Sequence, residues 1–160
     1  MQIKVKKLHK DAVIPTKAYP DDTGMDVTAI DDGVWSKDGL YIEYDTGLAI
    51  EPPPGYYIEI FPRSSISKTN LILANSIGLC DSSYRGPYKL RFKCPIGWNE
   101  QLSELDGYVT TGVKPKIYQK GDKIAQLVIR KRIDAEFIEV EELNETDRNT
   151  GGFGSSDKKQ

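Results

Sequence analysis

No apolar run in this sequence approaches membrane-spanning length, so it offers no candidate transmembrane helix. Strong charge of either sign is missing as well. The net charge is -2, which removes the global basic field expected of a nucleic-acid binder. An anionic ligand would have to be met by local cations. Only two cysteines occur, Cys80 and Cys94. They fit no zinc spacing and are expected as two small buried thiols in a reducing compartment, not as a disulfide. The single histidine, His9, is read as a surface residue, because a lone imidazole has no partner set for catalysis or metal binding. The opening stretch MQIKVKKLHK has no apolar h-region, so no signal peptide is expected. The expected location is cytoplasmic, or nuclear or within a virus-infected host cell, and not secreted. Helical periodicity is scarce. Nine prolines and fourteen glycines cut the chain into short pieces.

What is present alternates with period two. In QIKVKKL, Ile3 and Val5 oppose Lys4 and Lys6. In YKLRFK, Tyr88, Leu90 and Phe92 oppose Lys89, Arg91 and Lys93. EFIEVEE sets Ile138 and Val140 against Glu139 and Glu141. Such alternation predicts half-buried strands of an antiparallel sheet. Asp32-Gly33 and Asp38-Gly39 read as hairpin dipeptides. EPPPG at 51–55 separates two strands and cannot itself be central strand. One short helix is expected after Arg63, with Ser64 or Ser65 as its N-cap. The 160 residues fit a single all-β domain, an antiparallel jelly-roll barrel or sandwich. That domain is expected over 1–143. Residues 144–160 are expected as a flexible C-terminal arm whose one large apolar side chain is Phe153. The segment 95–119 is weakly patterned and polar, and is expected as a surface excursion outside any active site. Trp35 and Trp98 are read as packing or rim residues.

Five stretches place polar residues beside glycine or serine: DDTGMDVTA (21–29), PRSSISK (62–68), NSIGLCDSSYRG (75–86), GDKIAQLVI (121–129) and RNTGGFGSS (148–156). Singly, each has an ordinary structural account, such as a turn cap, a helix cap, a hairpin loop or a solvent-facing strand residue. Together, in this order and at these intervals, they resemble the five motifs of the trimeric deoxyuridine triphosphatase (dUTPase) family. The likeness runs from Asp21 to Ser156, and TGLAI with PPGYYIEIFPRSS adds to it.

The resemblance implies a β jelly roll assembled as a homotrimer, with active sites between subunits. It implies hydrolysis of dUTP to dUMP and pyrophosphate by Mg²⁺-assisted attack of water on the α-phosphate. This keeps uracil out of DNA and supplies dUMP for thymidylate synthesis. Asp81 is implied as general base, a role worth ~10²–10⁴-fold in rate. Arg63, Ser64, Ser65, Gln126 and Arg148 are implied phosphate contacts. Asn75 and the backbone from Gly78 would form the uracil pocket. Tyr84 would pack against deoxyribose and exclude a 2′-hydroxyl. Gly152 would approach phosphate closely, and Phe153 would stack on uracil from an arm that closes as a lid. Asp26 is implied as a supporting residue that orders the site or metal-bound waters. Mg²⁺ would be held mainly by substrate phosphates and water, with no direct protein ligand. No membrane or nucleic-acid partner is implied, while 95–119 offers a surface for a protein partner.

The chain departs from the family pattern in places. Ser65 replaces a glycine, Ser83 an aspartate, Cys80 an aliphatic residue and Asn149 a glycine, while Asp157 stands at another glycine position. Two alternatives accompany the main reading. One is a dCTP deaminase-type relative, which shares the fold and the RSS signature. The other is a dUTPase-fold protein with an added regulatory, protein-binding role.

Overall fold

The computed structural model describes residues 1–95 and 115–151. Short strands dominate it, as the period-two patterning requires. They are β1 (Lys4–Lys7), β2 (Met25–Thr28), β3 (Val34–Trp35), β4 (Ile42–Asp45), β5 (Leu48–Glu51), β6 (Tyr56–Phe61), β7 (Ile72–Leu73), β8 (Gly78–Cys80), β9 (Lys89–Lys93) and β10 (Lys123–Lys131). All named pairings are antiparallel. One four-stranded sheet has the order β2-β10-β6-β8, the other β3-β4-β9-β7, and β1 pairs with β5. This all-β arrangement agrees with a jelly roll.

Between the sheets lies one apolar core. Tyr44 and Phe92 are fully buried and meet edge to face, and Tyr118 joins them in two further edge contacts. The Tyr44 hydroxyl donates to the Tyr118 carbonyl at 3.1 Å, so the polar end of the ring is satisfied where water cannot reach it. Burial raises the Tyr44 phenol well above its ordinary value. Ile42, Ile58, Ile124 and Val27 are among the buried aliphatic residues that complete it. Strand β9 alternates exposed and buried, with Leu90 and Phe92 inside and Lys89, Arg91 and Lys93 outside. Val5 of β1 is likewise more buried than its lysine neighbours.

Several expectations change. The helix after Arg63 is a 3₁₀ turn over Ser64–Lys68, capped by Arg63 rather than by a serine, with no side-chain cap bond. Ser64 and Ser65, the two expected caps, lie inside the turn, where Ser67 Oγ bonds back to the Ser64 carbonyl at 2.9 Å. Asp38-Gly39 does turn the β3–β4 hairpin, with Gly39 at φ 69. Asp32-Gly33 does not make a hairpin: it links β2 to β3, which belong to different sheets. EFIEVEE forms no strand, and Phe137, Ile138 and Val140 are exposed. No strand of the described residues pairs with it, so the alternation has no sheet to join. The 95–119 excursion is not wholly superficial. Pro115 and Tyr118 are buried, and the Lys116 amide bonds to Asn70 Oδ1 at 2.8 Å. Residues 96–114, including Trp98, lie outside the described residues. Both cysteines are free and partly buried, His9 is exposed, and Trp35 packs against the core.

Candidate active site

Arg63 leaves the end of β6 and is held from three sides. Its Nε lies 2.9 Å from Asp26 Oδ1. Its Nη1 donates to the Lys123 carbonyl at 3.3 Å and, at a longer 3.4 Å, to Ser65 Oγ. Asp26 sits on β2, directly opposite Gln126 of β10. Its side chain is only 11% exposed. The second oxygen, Oδ2, is 2.7 Å from Lys123 Nζ. That contact is ionic but off the hydrogen-bond axis, because Oδ2 accepts no well-aligned bond. One carboxylate between two cations leaves the cluster net positive.

Gln126 extends across Gly24. A Cβ there would come within 2.9 Å of Gln126 Cδ and closer still to Oε1, so only glycine lets the amide lie flat on that backbone. Around these groups is a cleft of about 340 Å³, lined by Asp22, Thr23, Gly24, Asp26, Arg63, Ser64 and Gln126. Fixed charge, a hydroxyl and an amide converge there, a donor set suited to phosphate oxygens.

Asn75 and Gly78 meet at a second place. The turn between β7 and β8 bends at Ser76, φ 60, and carries the Asn75 amide over Gly78. A cleft of about 350 Å³ is lined by both, with Leu73, Leu79, Cys80, Leu90, Lys89 and Arg91. Asp81 follows β8 and starts a turn closed by the Tyr84 amide on the Asp81 carbonyl at 3.0 Å. It lines a third cleft, of about 410 Å³, with Tyr57, Leu79, Ser82, Ser83 and Arg132. Tyr84 is 45% exposed.

The chain therefore gathers Asp26, Arg63, Ser64, Ser65 and Gln126 in one place, and Asn75 with Gly78 in another. Asp81 stands apart from Arg63. Cys80 pairs with Ile58, and the cleft of Asp81 contains Tyr57, while Gln126 pairs with Phe61 next to Arg63. The two ends of β6 are about 15–20 Å apart at the usual rise of a strand.

Arg148 folds back in a local turn. Its Nε donates to the Gly151 carbonyl at 2.9 Å, and the Gly151 amide to the Arg148 carbonyl at 2.9 Å. Asn149 occupies φ 44, a left-handed conformation that glycine or asparagine takes most readily, which accounts for asparagine replacing glycine there. Gly152, Phe153 and Asp157 lie outside the described residues.

Lys123, Gly24 and Arg132 were not singled out by sequence reasoning. Lys123 stands in the quoted GDKIAQLVI stretch, and its charge next to Asp26 becomes visible only through the β2–β10 register. No charge pattern marks Arg132 as a neighbour of Asp81.

The dUTPase family model matches residues 10–94 and 109–157. The gap between the two stretches falls within the weakly patterned segment 95–119. A deoxyuridine 5'-triphosphate nucleotidohydrolase of Nautilia profundicola is 37% identical over 159 residues, covering 99% of this chain and all of the relative. Another, of a Hydrogenobaculum species, is 35% identical over 160 residues, again covering 99% of this chain and all of the relative. Among solved structures, the dUTPase of Staphylococcus bacteriophage 80alpha superposes with a TM-score of 0.69 at 24% identity, covering 97% of this chain and 98% of that one. A family match across both halves of the motif set, a full-length identity above a third, and a common fold lead to one conclusion: the chain belongs to the dUTPase family.

Proposed function

We propose that this protein hydrolyses dUTP to dUMP and pyrophosphate. The cleft that brings Arg63, Ser64 and Gln126 together, in a chain of this family, carries the reading. In the reaction, water attacks the α-phosphorus in line with the leaving pyrophosphate. A new P–O bond forms, the bridging Pα–O bond breaks, and Asp81 accepts the water proton. Arg63 and Arg148 oppose the charge that gathers on the leaving group, and Ser64 and Gln126 donate hydrogen bonds to phosphate oxygens. Asn75 and the Gly78 backbone read the uracil edge, with Phe153 stacking above it and Gly152 close to phosphate. Cytosine presents the opposite donor–acceptor pattern at its 4-position and would leave these groups unpaired.

Mg²⁺ would neutralise and orient the phosphate oxygens. The residues present suit a metal held by substrate and water. Asp26 already faces Arg63 and Lys123, and Asp22 accepts the Tyr19 amide at 2.9 Å. Asp26 thus acts by fixing Arg63 and, through it, the phosphate site.

Asp81 and Arg63 cannot act on one α-phosphate across the length of β6. We infer that each site takes Asp81 from one subunit and Arg63 from another, as a homotrimer would allow. The exposed apolar side chains Phe137, Ile138, Val140 and Leu143 support such an assembly. They would then be buried on a neighbour and carry Arg148 and the glycine-rich arm with them. The deaminase alternative needs a glutamate to activate water, and none lies between Arg63 and Gly97.

The test is product analysis with Mg²⁺ and, separately, dUTP, dCTP, dTTP and UTP. dUMP and pyrophosphate are expected from dUTP alone, with turnover lost in Asp81→Asn by ~10²-fold or more. Conversion of dCTP to a uracil nucleotide would overturn the reading.

A further inference from the structure

Tyr84 does not hold its position unaided. Its hydroxyl donates to the Pro87 carbonyl at 3.1 Å, which anchors one end of the ring three residues on in the chain. One face lies parallel to Tyr88, with centroids 6.0 Å apart and an interplanar angle of 12°. Tyr88 is 4% exposed, so it is a fixed seat and not a second mobile ring. Next to the Tyr84 ring is Gly86. A Cβ at that position would lie 2.5 Å from Cζ and 2.8 Å from Cε2 of Tyr84, and closer still to its hydroxyl. No left-handed φ is required of Gly86. The glycine is thus needed for the room it leaves at the hydroxyl end of the Tyr84 ring. The loop around them is pinned from outside, because Arg85 Nη1 donates to the Ser82 carbonyl at 2.7 Å and to the Tyr84 carbonyl at 3.0 Å.

We propose that Gly86 and Tyr88 are positioning residues for sugar selection: together they set the depth and tilt of the Tyr84 ring, and so the space left for a 2′-substituent. This rests on the dUTP reading above, and it assigns work to two residues that need touch no substrate. The tolerance is small. A 2′-hydroxyl differs from hydrogen by one heavy atom, so a ring displaced by about an ångström would admit it; a pocket difference of that size is worth roughly 10–200-fold in discrimination. Tyr88 also ties this seat to β8, the strand that Asp81 follows. Its hydroxyl neighbours the Cys80 thiol, though the two form no well-aligned hydrogen bond. The seat is apolar stacking, and the Tyr88 hydroxyl is dispensable to it.

The variants are Gly86→Ala, Tyr88→Leu and Tyr88→Phe, in the full chain, with melting temperature measured for each. The readouts are the ratio of kcat/KM for dUTP over UTP and, independently of turnover, the affinities for dUMP and UMP by calorimetry. Gly86→Ala should fold normally and lower both ratios about tenfold, through relative gain of the ribonucleotide. Tyr88→Leu should do the same, and Tyr88→Phe should retain the wild-type ratios. Unchanged ratios in folded Gly86→Ala and Tyr88→Leu would overturn the inference while dUTP turnover by the wild type keeps the dUTP reading intact. A wild type that turns over no dUTP but binds dUMP well above UMP would sink that reading and leave the seat testable in the variants. Equal binding of dUMP and UMP by the wild type would overturn the inference outright.

Discussion

On the proposed reading, Asp26 sets the geometry of Arg63 without itself reacting. It touches Arg63 through one oxygen and Lys123 through the other. An arginine has several rotatable bonds, and a phosphate contact requires them to be fixed before substrate arrives. Asp26→Asn keeps the shape and removes the charge. We expect kcat/KM for dUTP to fall about tenfold, from an arginine less often in place. Lys123→Met should weaken the same network by less, and Lys123→Arg should restore it; steady-state kinetics on the three variants checks this. Ser65 is the opposite case. Its bond to Arg63 is 3.4 Å long, and long bonds contribute little. Ser65→Gly should therefore change kcat/KM by less than about threefold. From the sequence alone, Asp26, Arg63 and Gln126 were identifiable because they stand in ordered motifs. Lys123 was not, because its role depends on which strand lies beside β10, and periodicity gives no strand order.

Strands β4 and β9 show what element-level patterning can and cannot give. YKLRFK predicted its own burial pattern, and β9 follows it. The cross-strand partners needed the register: Glu43 lies opposite Arg91, bonding it at 2.8 Å and Lys89 at 3.1 Å. The Arg91 contact, and after it Lys89, hold the Glu43 carboxyl below its ordinary value of 4.5. A lowered carboxyl value means stability that is present above the unfolded value and is lost as pH falls through the folded one. Glu43→Gln should thus be less stable than wild type at pH 7 by about 0.5–1 kcal/mol. Urea titrations at descending pH should show the gap closing below the ordinary value. A gap of constant size would mean the pair contributes through packing alone. EFIEVEE has the same alternation as β9 and yet no strand. Periodicity reports which side chains want burial, and says nothing of which chain provides the cover.

At the scale of the whole molecule, that missing cover and the separated site residues point to the same arrangement. A single chain offers the Arg63 cleft at one end of β6 and Asp81 at the other, and it leaves Phe137, Ile138 and Leu143 in water. The sequence motifs named Asp81 and Arg63 but not Lys123 or Arg132, and that sites lie between subunits was implied by the family resemblance alone, because motif order along a chain carries no distance. Subunit sharing has a sharp consequence. Asp81→Asn and Arg63→Ala should each abolish activity alone. If the two variants are denatured together and refolded in equal amounts, a site drawing Asp81 and Arg63 from different subunits finds both intact in about a quarter of cases. Activity near that fraction of wild type should therefore return. Sites built within one chain would stay dead in every mixture, because each chain carries one of the two lesions. Refolding the variants separately and then mixing them supplies the control: activity should appear only as fast as subunits exchange. Recovery on co-refolding, with sedimentation showing a trimer, would tie the geometry of β6 to the assembly; a persistent zero would mean that Asp81 reaches the phosphate cleft of its own chain by a rearrangement of the β8–β9 turn.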